Sequence, residues 1–539
     1  MTIVSISSTH PRGYLLKAAG HRATALCLRL CLALLCFAGC AGLEAGAAAG
    51  GAAAAPFLRD LPENHGFDSA KLAEGIRAMR RDGLRIHSMV IARDGAILSE
   101  SYFEPYDGTI RHDLASVTKT FMTTLIGIAI DRGHVALDAP MVSYFPGRTI
   151  ANRDERKERV TVRHLLSCSS GLYGDARDAE RTAAEMRASP DWVQFALDRP
   201  SVAEPGTRFA YSNLDMHLLS AILQEATGKT AFEYARTELF APLGIEEASW
   251  ESDPQGYTRG WGDLALKSVD AAKLGQLFLD GGAWGSVRLV SKDWVARATS
   301  TQMRTESWRK EDYGFGWWVS RKGAIPTFLA DGRGGQRILV APLFDLVIAT
   351  TGGGFEIDDA LGEVTPAASW AIKKLRPNPA GVASLRAAEA TGQTGPEEGA
   401  AAAPEPPASD PPEIARAAAG KTFEFGSNAI GLESVRADFR SEREIEVTMD
   451  MEAESSPRIA VIGLDGRYRA SRAGRPVLAR GSWRGDGSLV IDYDEGPGLN
   501  HYEIILDFSP SGLLFKLSAP GSSEILSAQG RERGARSGE

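Results

Sequence analysis

Two parts of the chain, near residues 88–101 and 337–350, have the pattern of apolar and polar positions that is typical of β-hairpins. Between these two parts, apolar residues recur at the spacing of an α-helix. Ser88–Ser101 has apolar residues on both sides of an Asp-Gly pair, which is a strong short-range signal for a β-hairpin, and Arg337–Thr350 predicts a second hairpin. Met216–Ala226 and Ala271–Leu279 show the clearest helical periodicity. Strands that open and close a domain around helices predict an α+β domain with one antiparallel sheet, rather than a doubly wound parallel sheet.

The pattern changes in the last third of the chain. Residues 377–412 are rich in Ala, Pro, Gly and Glu and poor in large apolar residues, which predicts a disordered linker. Short alternating runs from Ala417 to Gln529 predict a small all-β barrel or sandwich. The predicted organisation is a leader and tether at 1–55, an α+β domain at 56–376, the linker at 377–412, the all-β domain at 413–530 and a frayed tail at 531–539.

The N-terminus has the order of a secretory signal. Basic residues precede the apolar run Ala23–Gly42, and Arg29 interrupts that run, which weakens it as a membrane span. Small residues lead up to Cys40, which resembles a bacterial lipoprotein cleavage site with Cys40 as the lipidated first residue. An ordinary signal peptide cut nearby, or an uncleaved anchor, is the alternative. We expect an exported, periplasmic protein that meets a membrane only through such an anchor, with the stretch to Ala55 as a tether.

Composition narrows the classes of function. The chain has 539 residues, which predicts two folded domains, and its net charge of −9 gives no electrostatic support for binding nucleic acid. Four of its five cysteines lie in the N-terminal apolar run, so Cys168 offers no disulfide framework in the predicted domains. The sequence has no HExxH motif and no Cys/His cluster at zinc spacing. We therefore expect no metal site, and we expect no other cofactor.

The first candidate for chemistry is Ser116-Val117-Thr118-Lys119, which precedes an apolar stretch. The spacing places Ser116 and Lys119 on one face of a helix, with Ser116 in the first turn, where free N–H groups favour negative charge. A serine hydroxyl needs a nearby base before it attacks a carbonyl, and a partly buried lysine that has lost its proton is such a base. A plain helix cap with Lys119 in solvent explains the spacing equally well.

Two further segments carry candidate groups. In Tyr211-Ser212-Asn213 a tyrosine beside a lysine can relay a proton and an asparagine can donate to a substrate carbonyl, although a packed turn with a capping Asn is the alternative. Ala330–Gln336 is glycine-rich, so that a substrate can lie close to its backbone. One N–H of this segment can complete an oxyanion hole with that of Ser116, and a simple glycine turn is the alternative.

The order and spacing of Ser116, Lys119, Tyr211 and the glycine-rich segment together resemble the serine β-lactamase and penicillin-binding protein superfamily, in its class C-like branch. That branch also holds esterases, D-aminopeptidases and 6-aminohexanoate-dimer hydrolases. Thr161–Leu172 is similar to the segment that lies between the first two motifs of the branch. The resemblance covers about Phe67–Leu375.

The resemblance implies a five-stranded antiparallel sheet beside an all-helical subdomain. It also implies Ser116 as the acylated nucleophile of a serine hydrolase and Lys119 as its base. Tyr211 is then the proton relay and Asn213 a substrate contact. The C-terminal all-β domain resembles domains appended to some of these hydrolases, where it would be a wall-binding or partner-binding module.

The third motif departs from the family pattern. β-Lactamases have Lys-Thr-Gly there, and matching its glycine to Gly332 places Ala330 where the lysine would hold a substrate carboxylate. Arg333 or Arg337 could replace that charge, and Arg333 is our choice for the second oxyanion N–H. We expect a small ester or amide as substrate. The alternatives are β-lactamase or D-Ala-D-Ala peptidase activity, and a non-catalytic penicillin-binding-like sensor or binding protein.

Overall fold

The structure, a computed structural model, describes residues 57–82, 84–174, 179–306, 310–321, 326–355, 357–370, 373–394, 411–452, 457–471, 477–495, 500–518 and 525–534. The predicted leader, with Cys40, and the tether lie outside these residues. Within the described ranges no helix combines the length and the hydropathy that crossing a membrane requires. These ranges form an α+β domain followed by an all-β domain, as the sequence predicts.

A mixed sheet organises the α+β domain. Its strands, together with those of two small sheets, are β1 (Leu58–Arg59), β2 (Ile86–Arg93), β3 (Ala96–Tyr102), β4 (His112–Asp113), β5 (Ser249–Trp250), β6 (Leu264–Leu266), β7 (Ala283–Trp284), β8 (Val287–Arg288), β9 (Glu311–Tyr313), β10 (Trp318–Ser320), β11 (Phe328–Gly332), β12 (Gln336–Ala341) and β13 (Leu346–Gly352). The main sheet has eight strands in the order β1-β3-β2-β13-β12-β11-β10-β9. The five antiparallel strands β3-β2-β13-β12-β11 correspond to the expected five-stranded sheet. The short strand β1 extends this sheet at one edge, and the short strands β10 and β9 extend it at the other.

Helices cover both faces of this sheet. The α-helices of the described residues are α1 (Ser69–Arg81), α2 (Val117–Asp131), α3 (Glu155–Glu158), α4 (Val162–Leu166), α5 (Ala179–Arg187), α6 (Trp192–Asp198), α7 (Asn213–Thr227), α8 (Ala231–Ala235), α9 (Ala241–Leu243), α10 (Ser268–Leu279), α11 (Lys292–Ala298), α12 (Ile357–Val364), α13 (Pro379–Thr394) and α14 (Glu413–Ala418). Helices α2 and α10 pack on one face of the main sheet, and α1, α12 and α13 share a core with its other face, whereas α14 packs in the core of the C-terminal domain.

The alternation along β13 shows why the sheet is buried on both sides. Val347 and Ala349 belong to the larger core with α2, α7 and α10, whereas Leu346 and Ile348 belong to the core with α1, α12 and α13. Side chains on a strand point alternately to its two faces, so a strand covered on both faces reads as a continuous apolar run. Both predicted hairpins are confirmed as β2–β3 and β12–β13, and the two predicted helices are confirmed within α7 and α10.

The prediction of a disordered linker is wrong for residues 379–394, which form α13. Leu385 and Ala388 are 3% and 1% exposed in the core beneath α1. Arg80 of α1 donates to the Ala388 carbonyl at 2.9 Å. The segment is rich in alanine, the best helix former, and docking on α1 stabilises a helix that composition alone does not reveal.

Replacing Leu385 by alanine is therefore expected to destabilise the α+β domain. Removing a fully buried leucine side chain costs about 2–4 kcal/mol, from lost burial and from the cavity left behind. The free energy of unfolding in urea measures this effect. Leu343, which is 65% exposed, is the matched control, because its change to alanine is expected to shift stability by less than about 0.5 kcal/mol. Equal effects at both positions would mean that α13 does not dock on this core.

The C-terminal domain is a closed barrel. Its strands are β14 (Thr422–Phe425), β15 (Leu432–Ser441), β16 (Glu444–Met451), β17 (Arg458–Gly463), β18 (Arg469–Ser471), β19 (Val477–Trp483), β20 (Leu489–Glu495), β21 (Asn500–Ser509), β22 (Gly512–Ser518) and β23 (Ile525–Glu532). Neighbouring strands pair antiparallel in the order β17-β16-β15-β14-β23-β22-β21-β20-β19-β18. A further pairing between β17 and β19 closes the sheet. The frayed tail predicted from 531 is wrong for the first two residues, since Arg531 and Glu532 pair with β14.

Candidate active site

Ser116 stands at the N-terminus of α2, with Lys119 one turn further on. Lys119 is 1% exposed, and its Nζ donates to Ser116 Oγ at 2.9 Å and to the Trp261 carbonyl at 3.0 Å. Ser116 makes no side-chain cap bond to α2, so its hydroxyl is available to the cavity beside it. The structure therefore brings the predicted nucleophile and base into direct contact, rather than leaving Lys119 in solvent.

The backbone leading into Ser116 is strained. Ala115 has a φ of 46°, in the left-handed region, which costs a residue with a side chain about 1–2 kcal/mol. Its N–H donates to Asp113 Oδ1 at 2.8 Å, while the neighbouring Leu114 N–H donates to the Leu264 carbonyl of β6. These two bonds hold the turn that aims Ser116 at the cavity.

Tyr211 lies in the loop before α7, beside Lys119 and along the same cavity as Ser116. Lys119 Nζ lies 4.8 Å from the centre of its ring. The ring also stacks on Trp318, with 5.9 Å between ring centres, and meets Tyr313 edge-on at 6.2 Å. Three distant stretches of chain thus meet at one place, and Trp318 is a wall residue that no sequence pattern indicated.

A buried polar cluster supports the Tyr211 loop. The Ala210 N–H donates to the carbonyl of Cys168, whose φ of 49° marks a tight turn. Burial raises the pKa of the Cys168 thiol to about 12, so this cysteine stays protonated and is not a nucleophile. Ser170 Oγ donates to Asp215 Oδ1 at 2.9 Å, and burial raises the pKa of that carboxyl to about 7. This cluster was not anticipated from the sequence.

The structure does not bring Asn213 to Ser116. Its side chain is buried in the first turn of α7, and its Nδ2 donates to the Ala179 carbonyl at 3.0 Å. Among the described residues it lines a narrow crevice on the other side of Tyr211, not the cavity that Ser116 borders. The Nδ2 end of the Asn213 amide is thus bonded to α5, and the role of this residue as a substrate contact stays a prediction.

The glycine-rich segment lies directly against the nucleophile. Gly332 ends β11, and a side-chain carbon placed on it would lie 2.7 Å from the Leu114 carbonyl and 3.2 Å from the Ser116 nitrogen. β10 pairs with β11 only as far as Leu329, so the backbone that follows is open to the cavity. Ser116, Gly332 and Arg333 thus line the same cavity, and the choice of the Arg333 N–H as an oxyanion donor stays a prediction.

The cavity measures about 550 Å³, within the usual range for small-molecule sites. Arg337, the alternative cation, is tied by its Nε to Asp331 at 2.7 Å and by its Nη1 to the Phe355 carbonyl at 3.1 Å. Arg333 is the exposed guanidinium of the lining. Ala330 is fully buried, so no cation occupies the position of the family lysine. Groups of three or more metal-ligating side chains do not occur among the described residues.

Gly332→Ala is expected to slow acylation of Ser116 by about 10- to 100-fold, because the new methyl group pushes on the carbonyl and amide that position the nucleophile. The rate of covalent labelling by a fluorophosphonate measures this effect. Gly147→Ala is the control, since a side-chain carbon there meets nothing within 4 Å. Labelling of Gly332→Ala at the wild-type rate would show that the close approach is not needed.

A comparison with models of known protein families shows to which family this chain belongs. The β-lactamase family model matches residues 76–352, slightly more than half of the chain. The chain belongs to the β-lactamase family. The matched β-lactamase region contains Ser116, Lys119, Tyr211 and Gly332, and the relatives that match it in sequence have carboxypeptidase and hydrolase names.

Individual relatives of this β-lactamase family chain are distant. A protein of Escherichia coli K12, provisionally named a D-alanyl-D-alanine carboxypeptidase, is 25% identical over 288 residues, which is 44% of this chain and 64% of that protein. The chain thus spans less than two thirds of that relative's length. The 6-aminohexanoate-dimer hydrolase of Paenarthrobacter ureafaciens is 23% identical over 48% of this chain and 71% of its own.

Solved structures of similar chains include a D-stereospecific amidohydrolase from a Streptomyces species, with a TM-score of 0.45 and 18% identity over 56% of this chain and all of that one. A penicillin-binding protein from Bacillus halodurans has a TM-score of 0.44 and 16% identity over 54% of this chain and 99% of its own.

Proposed function

We propose that this protein is a serine hydrolase that cleaves a small ester or amide through an acyl-enzyme on Ser116. The 2.9 Å contact between Lys119 Nζ and Ser116 Oγ, beside an open cavity, carries the proposal. Two-step acyl transfer needs a nucleophilic hydroxyl, a base and a proton relay. Ser116 and Tyr211 line one cavity, and the buried Lys119 amine contacts both of them. Membership of the β-lactamase family supports the same reaction class.

In the first step Ser116 Oγ bonds to the substrate carbonyl carbon while its proton passes to Lys119 Nζ. The N–H groups of Ser116 and Arg333 stabilise the oxyanion. Lys119, with Tyr211 as relay, then gives a proton to the leaving alcohol or amine as the bond to that group breaks. In the second step a water molecule gives its proton to the same groups and attacks the acyl carbon. The acid leaves and the Ser116 hydroxyl is restored.

The proposed substrate class follows from the charges around the cavity. Ala330 provides no cation, and Arg337 is already engaged with Asp331. Arg333 is exposed at the rim, where water screens its charge, so an obligatory substrate carboxylate has no buried partner. A neutral ester or amide with a modest acyl group fits these walls better than a β-lactam or a D-Ala-D-Ala peptide.

Labelling with a fluorophosphonate probe tests the reaction class. We expect wild-type protein to be labelled at Ser116, and Ser116→Ala not to be labelled. Ser167→Ala is a control, because the Ser167 hydroxyl is buried and bonds to the Arg163 carbonyl. Absence of labelling in the wild type would favour the alternative of a non-catalytic sensor or binding protein.

A substrate panel separates the hydrolase alternatives. We expect turnover of short p-nitrophenyl esters and of simple amides, with much slower turnover of nitrocefin and D-Ala-D-Ala peptides. Efficient release of terminal D-alanine would replace the ester proposal with the peptidase alternative, which the name of the Escherichia coli relative suggests.

We also propose that the protein is exported to the periplasm, with Cys40 as a lipidated residue. The support is the basic-then-apolar order of the N-terminus and the small residues before Cys40. Metabolic labelling of cells with an alkyne fatty acid is expected to label the wild type and not Cys40→Ser. Equal labelling of both proteins, or none, would contradict lipidation at this residue.

A further inference from the structure

A buried hydrogen bond joins the barrel to the α+β domain. Tyr106, in the loop after β3, donates its hydroxyl to Asp494 Oδ2 of β20 at 2.6 Å. The two residues are 3% and 5% exposed, although 388 residues separate them along the chain. Burial raises the pKa of the Tyr106 hydroxyl well above its usual value, so the phenol keeps the proton that it donates. A charge-assisted bond of this kind fixes both partners.

On the other side of this bond the Tyr106 ring packs against two histidines. It stacks on His87 of β2 with 4.0 Å between ring centres and lies 4.7 Å from the ring of His112. Burial lowers the pKa of His87 well below its usual value, so this ring is neutral and packs as a flat aromatic group. The position of the His87 ring is therefore set partly by Tyr106 and, through it, by the barrel.

His87 in turn abuts the segment that follows β13. A side-chain carbon on Gly353 would lie 3.0 Å from His87 Nε2, so no room is left between them. The Gly353 N–H donates to the Arg85 carbonyl at 2.8 Å, and the Gly354 N–H donates to the Gly334 carbonyl at 2.7 Å. Gly354 and Gly334 both line the cavity beside Ser116. The contacts thus continue from Tyr106 to the backbone of the cavity wall.

Phe355 completes this wall. Its carbonyl accepts from Arg337 Nη1, and its ring lies so close to Gly335 that a side-chain carbon there would be 2.3 Å from it. Because the ring is held between these neighbours, a small shift of the preceding glycines moves Phe355 relative to the cavity. A displacement of about 1 Å at a substrate-contacting wall is enough to change rates substantially.

We infer that the barrel positions the Gly353–Phe355 wall of the active site, and that Tyr106 and Asp494 are positioning residues for substrate size. The inference rests on the proposed function only for its effect on substrates. The structural part, that the bond between Tyr106 and Asp494 orders this wall, stands without it. The barrel then acts as a fixed part of the hydrolase rather than only as an independent wall-binding module.

Hydrogen exchange of the full-length chain tests the structural part, whether or not the protein is an enzyme. We expect the amides of residues 346–355 to exchange faster in Tyr106→Phe and in Asp494→Ala than in the wild type. Tyr257→Phe is the matched control, because Tyr257 makes a bond of the same length, 2.6 Å, to Glu225 away from this wall. Unchanged exchange of this segment in Tyr106→Phe, or the same change in Tyr257→Phe, would overturn the inference.

Substrate selectivity tests the functional part. The measurement is the ratio of kcat/KM for p-nitrophenyl octanoate to that for p-nitrophenyl acetate. We expect Tyr106→Phe to change this ratio about 10-fold, whereas Tyr257→Phe leaves it within about twofold. A uniform loss with an unchanged ratio would show that the bond is merely structural. Failure of the proposed function would give a different result from failure of this inference. The wild type would then turn over neither ester, while the faster hydrogen exchange in Tyr106→Phe would still be observed.

Discussion

Lys119→Ala is expected to lower the rate of Ser116 acylation by about 10³-fold or more, nearly as much as Ser116→Ala, because nucleophile and base act as a unit. Lys119 Nζ lies 2.9 Å from Ser116 Oγ. Without the amine, the Ser116 hydroxyl loses the proton acceptor that the proposed mechanism assigns to it. Stopped-flow labelling with a fluorophosphonate, corrected for the folded fraction, measures the rate.

Lys157→Ala is the control that separates the effect of Lys119 on the acylation rate from the loss of stability caused by removing any buried lysine. Lys157 is fully buried, and its Nζ donates to the Ala151 and Leu197 carbonyls, away from Ser116. We expect this variant to lose stability but to acylate at the wild-type rate per folded molecule. Acylation close to wild type in Lys119→Ala would remove lysine from the proposed mechanism.

The second large effect concerns Asp215 and the pH dependence of stability. Burial raises the pKa of this carboxyl from 3.8 to about 7 in the folded protein. Between pH 4 and 7 the folded state therefore holds a proton that the unfolded state has lost. The contribution of Asp215 is fully present below the unfolded pKa, and the free energy of unfolding falls as pH rises towards the folded pKa. The fall amounts to about 4 kcal/mol in total.

Asp215→Asn is expected to abolish this slope. Asn keeps an oxygen that accepts from Ser170 Oγ but does not titrate, so the stability of this variant should lack the fall that Asp215 contributes. Urea unfolding at intervals from pH 4 to 8 gives both curves. Parallel curves for the wild type and Asp215→Asn would show that the carboxyl is not kept protonated by the fold.

Short-range sequence patterns were sufficient to predict several of the strands and helices around the candidate site. The Asp-Gly pair specified the β2–β3 hairpin, and helical periodicity located α7 and α10 to within a few residues. Ser116 and Lys119 could be paired because three residues make nearly one helical turn, which fixes their common face. The position of Tyr211 beside them came from the resemblance to a family, since no local rule joins residues 95 positions apart.

Features set by tertiary contacts could not be predicted. Asn213 is turned away by a bond to Ala179, which lies on another helix. Arg337 is engaged by Asp331 across the β11–β12 turn, which leaves Arg333 as the exposed cation. Helix α13 is stabilised by burial of Leu385 against α1, and this burial cannot be predicted from a composition rich in alanine and glycine. In each case a distant partner decides the outcome.

The exposed position of Arg333 bears on how this protein can evolve. Within the described part of the chain its guanidinium takes part in no ion pair, and its side chain lies outside both cores of the α+β domain. Substitutions at such positions usually change stability by less than about 0.5 kcal/mol. A substitution there is therefore expected to change the charge beside the cavity while the fold stays the same, so that this charge is free to vary independently of the architecture.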